Sequence, residues 1–139
     1  MRCFVDSNIL FSAGIFPNSV PAAALIKAFT PPNEVVVSDY SLDEVRRAVA
    51  RKFPHKVNDL ETFLYRILFT AQLVITPEDE IDDEASVRDI KDRPILRAAR
   101  YAEVDVLITG DKDLLESGIT EPHIMDHLEF LKLCYNTRS

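Results

Sequence analysis

The sequence has 139 residues, 47% of them hydrophobic and 28% charged, with only 3 glycines and 8 prolines. These values fit one globular domain spanning 1–139 around a single core and exclude disordered and fibrous chains. The formal net charge of −7 excludes a surface that attracts nucleic acid everywhere and leaves room only for a local basic patch.

Short apolar runs alternate with helical patterns along the chain. A strand over 3–5 (CFV) passes into a helix that starts near Asn8, and a helical pattern follows over 21–29. EVVVS (34–38) predicts a second strand, and helical patterns occupy 41–53 and 57–71. In the latter, Val57, Leu60, Phe63, Leu64, Ile67 and Leu68 form a core stripe, with Tyr65 and Phe69 widening its apolar surface. LVIT (73–76) is a third strand; the acid-rich run EDEIDDEAS (78–86) reads as a solvated loop or helix start. A helix over 94–102, strands VDVLIT (104–109) and HIM (123–125), and a helix over 127–134 complete the chain. This βα alternation predicts an α/β fold: a three-layer α/β/α sandwich on a mainly parallel sheet of about five strands. Cys3 and Cys134 have neither metal-ligand spacing nor disulfide-scaffold density, so both are expected as buried, reduced thiols. No apolar run approaches the roughly 18 residues of a membrane span, and a cytoplasmic chain that contacts no membrane is expected.

Four carboxylates fall at element junctions. Asp6 ends the first strand, Glu44 opens the helix after EVVVS, Asp92 precedes the helix at 94, and Asp111 follows the fourth strand. In an open parallel sheet such ends share one edge, where ligands bind. Each acid alone also fits a local cap: Asp6 for the helix near Asn8, Glu44 in a capping box with Ser41, Asp92 before Pro94, and Asp111 in a Gly-Asp turn. Caps do not require that all four converge. Two carboxylates about 5 Å apart repel by roughly 3 kcal/mol at an effective dielectric of 20, so a cluster either raises its pKa values or binds a cation. All-oxygen donors suit Mg²⁺ or Mn²⁺. Of Asp89 and Asp92, only Asp92 is expected to point into the cluster, because it leads the helix whose buried stripe is Ile95, Ala98, Ala99 and Ala102.

VDSNIL, SDYSLDEVRRAV, IKDRPILRAA and VDVLITGDKDLL, in this order and at this spacing, resemble the acidic motifs of PIN-domain nucleases, nearest to the toxin members of toxin–antitoxin systems. The resemblance implies a metal-dependent endoribonuclease that cleaves single-stranded RNA by attack of a metal-activated water. Asp6, Glu44, Asp92 and Asp111 would form the catalytic and metal-binding quartet, with Asn8 and Thr109 as polar supports. Asp113 is a fifth acid, equally readable as a first-turn helix residue. RNA, a cognate antitoxin protein and a second copy of the chain are the partners to consider.

Basic residues crowd two of these motifs. Arg46 and Arg47 follow Glu44, and Arg93 follows Asp92, making them candidates for RNA phosphate contact, against the ordinary role of a solvated helix face. A noncatalytic RNA- or protein-binding module on the same fold is the alternative function. A receiver-like domain fails on residues, since LVIT is followed by Pro77 and Glu78 and HIM by Asp126.

Overall fold

The structure, a computed structural model, describes residues 1–133; Cys134 and the end of the helix expected over 127–134 lie outside the described residues. The strands are β1 (Arg2–Val5), β2 (Glu34–Ser38), β3 (Gln72–Val74), β4 (Val106–Ile108) and β5 (His123–Met125). The helices are α1 (Ser7–Ile15), α2 (Val20–Phe29), α3 (Asp39–Lys52), α4 (Val57–Thr70), α5 (Arg93–Tyr101), α6 (Lys112–Leu115) and α7 (His127–Lys132). All five expected strands form one sheet, and every neighbouring pair is parallel.

Alternation along the strands decides which helices cover which face. Cys3, Val5, Val35, Val37, Val106 and Ile108 point into one core, closed by α1 to α4 and α7. Phe4, Val36, Val74 and Leu107 point into the other, closed by Ile95, Leu96, Ala98 and Ala99 of α5 and by Leu114 of α6. The result is the α/β/α sandwich expected. Cys3 is buried with a free thiol, and burial pushes that thiol up to about 11. Among the described residues no single helix is long and apolar enough to cross a membrane.

The strand order β3-β2-β1-β4-β5 locates the functional edge. From β1 the chain steps outward through β2 to β3, then returns to place β4 on the other side of β1. The order reverses between β1 and β4, and that reversal opens a crevice at the carboxyl ends of the strands. Val5 pairs with Ile108 in register, so the next residues, Asp6 and Thr109, emerge side by side at the crevice.

Two expectations are corrected. The stripe of α4 buries Leu60, Leu64 and Ile67 and packs Phe63 and Leu68 against the core, but Val57 stays exposed in the first turn; Tyr65 and Phe69, 73% and 84% exposed, are the widened apolar flank expected. The acid-rich run is not simply solvated. Its Asp82–Ser86 segment winds into a 3-10 turn, and Glu84 is buried where Arg97 donates to both its oxygens, at 2.9 and 2.8 Å. Arg93, Arg97 and Arg100, spaced by four and three residues, share a side of α5. Arg93 donates to the Val87 carbonyl at 2.8 Å, Arg97 to that of Pro77 at 3.1 Å, and Arg100 to the Asp83 carboxylate at 3.0 Å. These three staples fix the loop that delivers Asp89 and Asp92.

Arg97 holds Glu84 below the usual carboxylate range by hydrogen bonding to its charged form. The pair's contribution to stability is therefore present above that range and is lost as pH falls through it. Arg97→Ala leaves Glu84 buried without its partner and is expected to cost about 3 kcal/mol, read as a lower urea midpoint at neutral pH; an unchanged midpoint would show the loop to be held by other contacts.

Candidate active site

Asp6 is the N-cap of α1, and its Oδ1 accepts from the Ser7 backbone N–H at 2.6 Å. Its other oxygen accepts from Thr109 Oγ1 at 2.8 Å and from Asn8 Nδ2 at 3.4 Å. The cap is thus real, but a cap alone does not explain why the residue is only 1% exposed. Burial pushes its carboxyl up to about 6; the bonds from Thr109 and Ser7 oppose this, and the charges of Glu44 and Asp111 add to it. Asn8 ties the crevice together, donating to Thr109 at 3.3 Å and accepting the Gly110 N–H at 2.9 Å.

Glu44 reaches the same place from α3. The expected capping box with Ser41 does not form, because α3 begins at Asp39 and its N-cap is Ser38, which accepts from the Ser41 N–H at 3.1 Å. Glu44 is therefore a full turn inside the helix, half-buried, and accepts from Ser7 Oγ at 2.9 Å. Its carboxyl is raised, chiefly by burial, with Asp111 and Asp89 contributing and Arg47 opposing. Ser7 was not singled out from sequence, although it sits inside VDSNIL; no spacing rule indicates that its hydroxyl would reach a different helix.

Asp92 stands at the N-cap of α5 but makes no capping bond there. Its carboxyl is pushed up to about 8, first by burial, then by its hydrogen bond with Asp111 and by the charges of Asp111, Asp89 and Asp6. Asp111 caps α6, accepting from the Asp113 N–H at 2.9 Å. Asp89, Asp92 and Asp113 each offer an oxygen within 4.8 Å of the others. Asp89 thus faces the same cluster as Asp92, against expectation. The reason is the 3-10 turn Ile90–Asp92 between them, which Asp89 caps by accepting from the Lys91 N–H at 3.0 Å; three residues make one full turn there, so both carboxylates come to one side. Asp113 belongs to the cluster but is ion-paired with Arg88 at 2.8 Å.

The cations expected to contact RNA separate into two kinds. Arg46 forms a two-point ion pair with Glu61, at 2.9 and 3.2 Å, and Arg93 is committed to loop carbonyls. Arg47 is exposed beside Glu44. Among the described residues, none of Asp6, Glu44, Asp92 and Asp111 has an ion-pair partner, so their mutual repulsion is relieved by protonation or by an added cation.

The folded pKa values of Asp6 and Asp92 lie above ordinary carboxylate values, so between those limits the folded chain binds more protons than the unfolded one. Their effect is destabilising, absent at low pH and growing as pH rises through about 6 and about 8. In EDTA, the thermal midpoint is expected to fall between about pH 4 and pH 8, with roughly 3 kcal/mol of the loss due to Asp6, most of it complete by about pH 6. Asp6→Asn keeps a competent cap and should flatten the lower part of that fall. A midpoint that rises across this window would contradict the assignment.

Comparison with known proteins agrees with this geometry. A family model described as PIN domain matches residues 2–113. A search of curated protein sequences finds no match. Among solved structures, VapBC2 from Rickettsia felis, bound to a DNA fragment from its promoter, aligns with a TM-score of 0.68 at 14% identity, covering 91% of this chain and 98% of that one. Mycobacterium tuberculosis VapC20, a toxin that cleaves the sarcin-ricin loop, aligns with a TM-score of 0.60 at 16% identity, covering 84% and 95%. At these identities the likeness is one of fold, whereas the family model covers most of the chain: this protein belongs to the PIN-domain family.

Proposed function

We propose that this chain is a divalent-metal-dependent endoribonuclease acting on single-stranded RNA in the cytoplasm, as the toxin of a toxin–antitoxin pair. The observation that carries the proposal is the set of carboxylates without counter-cations at the β1/β4 crevice. Asp6, Glu44, Asp92 and Asp111 would hold Mg²⁺ or Mn²⁺, with Asp89 and Asp113 beside them; the donor set is all oxygen, as these hard ions prefer. Bound there, the ion would supply neutralisation of the crowded negative charge, activation of a water and stabilisation of the leaving oxygen.

The chain's own residues have separate tasks. Thr109 and Asn8 hold the Asp6 carboxylate by hydrogen bonds, and Ser7 orients that of Glu44 toward α1. Asp92, in contact with Asp111, would hold the ion together with it, and in the absence of the ion its crowding favours the protonated form. The fold shared with VapC20 and with the toxin–antitoxin complex VapBC2 supports the toxin role and an antitoxin partner. The alternative, a noncatalytic binding module, keeps the fold without turnover.

Purified protein is expected to cut a single-stranded oligoribonucleotide in Mg²⁺ or Mn²⁺ and to stop in EDTA; cutting that persists in EDTA would overturn the mechanism. Asp92→Asn should abolish turnover, whereas Asp89→Asn, altering a neighbour of the ion, should reduce it by about tenfold. An active Asp92→Asn beside an inactive Asp89→Asn would show that Asp89 rather than Asp92 holds the ion.

A further inference from the structure

Beside the acid cluster, α1 and α3 enclose a pocket of about 410 Å³ lined by Ser7, Asn8 and Glu44 at one end and by Arg47, Arg51, Lys52 and Lys91 around it. Its floor is Phe11, Val45 and Ala48. Among the described residues, the side chains of Arg47, Arg51 and Lys91 make no hydrogen bond or ion pair, and that of Lys52 lies over the Phe11 ring, 5.4 Å from its centroid. Four cations without ion-pair partners among the described residues thus surround one pocket, a local basic patch on a chain of net charge −7.

The opposite flank of the cluster is different. Arg88 is neutralised by Asp113 at 2.8 Å and Glu116 at 3.0 Å, Arg100 by Asp83 at 3.0 Å, and Arg97 by buried Glu84. Arg93 holds a carbonyl. The basic residues of the two motifs therefore look alike in sequence but not in availability: those on α5 are structural, whereas on α3 Arg46 is paired with Glu61 and Arg47, Arg51 and Lys52 have no ion-pair partner among the described residues.

We propose that single-stranded RNA approaches the crevice from one side only, over α3, with Arg47 and Arg51 contacting successive backbone phosphates and Phe11 offering an apolar floor to a sugar or base. Arg47 and Arg51 are four residues apart and so lie on the same face, about 6 Å apart along the axis. Lys91 stands where the track meets the acids, and Arg47 offsets the field of Glu44 at the same point. An acidic protein segment would use the same charges but has less use for an open apolar floor ending at further carboxylates. The proposal rests on the nuclease reading for its substrate, yet binding tests it independently of cleavage.

The experiment is fluorescence anisotropy of a short labelled oligouridylate in EDTA, where turnover does not interfere, across a range of salt concentrations. Arg47→Ala with Arg51→Ala should weaken binding at least tenfold at low salt and reduce the salt slope by about 1.4, or 0.7 for each phosphate contact. Arg46→Ala with Arg66→Ala, the latter exposed on α4, removes equal charge from residues that do not line the pocket and should change affinity by less than threefold. Thermal midpoints of both double variants verify that these surface changes leave the fold intact.

Equal losses in the two double variants, an unchanged slope, or no binding by the unaltered chain would overturn the track. So would an acidic peptide, such as oligoglutamate, that binds through Arg47 and Arg51 while the RNA does not. If the RNA binds through α3 but is never cut in Mg²⁺ or Mn²⁺, the nuclease reading fails and the track stands. If the RNA is cut with an unchanged slope, the reverse holds.

Discussion

Asp6 is a carboxylate almost fully removed from water with no basic side chain paired to it. Burying an unpaired charge is costly enough that such a group normally takes up a proton or acquires a partner. Three hydrogen bonds, from Ser7, Asn8 and Thr109, soften the cost. They also recruit the rest of the site. Ser7 holds Glu44, Thr109 accepts the Asp111 N–H at 3.0 Å, and Asn8 fastens the Gly110 turn. The constraint on Asp6 is therefore shared by α1, α3 and the β4–α6 junction, which explains how acids far apart in sequence come to one crevice.

The second requirement is that Asp92 be held against the repulsion of its neighbours. Its segment lacks a strand to anchor it, since the chain from Thr76 to Asp92 contains only loops and two 3-10 turns among the described residues. The α5 arginines take that role by binding carbonyls and two carboxylates of the loop. Because α5 also buries Ile95, Leu96, Ala98 and Ala99 against the sheet, the hydrophobic core sets the position of the helix and the arginines set the loop relative to it. The same contacts remove those cations from any substrate interface. One flank of the cluster is consequently rigid and neutral, and the other open and basic.

The fold was legible in the sequence because the central strands β1, β2 and β4 carry buried apolar runs, although the edge strands β3 and β5 are partly exposed; EVVVS and HIM form strands at their expected limits. The candidate acids were legible because strand-end position is a consequence of βα order. What sequence did not disclose was pairing. Spacing rules suggested a Ser41–Glu44 box, but Ser38 provides a better-placed hydroxyl and starts the helix earlier. Arg46 and Arg47 are adjacent in sequence, yet a helix turns about 100° per residue, directing one toward Glu61 on α4 and the other toward Glu44. Asp89 was discounted because it precedes α5, whereas the 3-10 turn folds it back onto Asp92. Glu84 reads as one more acid in a solvated run, whereas Arg97, thirteen residues later, donates to both its oxygens and accompanies it into the interior.

The central claim is that the clustered carboxylates hold protons in the metal-free chain and exchange them for a divalent cation. Isothermal titration of Mn²⁺ into the metal-free protein near pH 7, repeated in buffers of different ionisation enthalpy, measures both the binding and the protons released with it. With Asp92 pushed up to about 8 and Asp6 to about 6, binding is expected to release roughly one proton near neutral pH, and fewer in Asp92→Asn. Binding without proton release, or no binding by the unaltered chain, would contradict it.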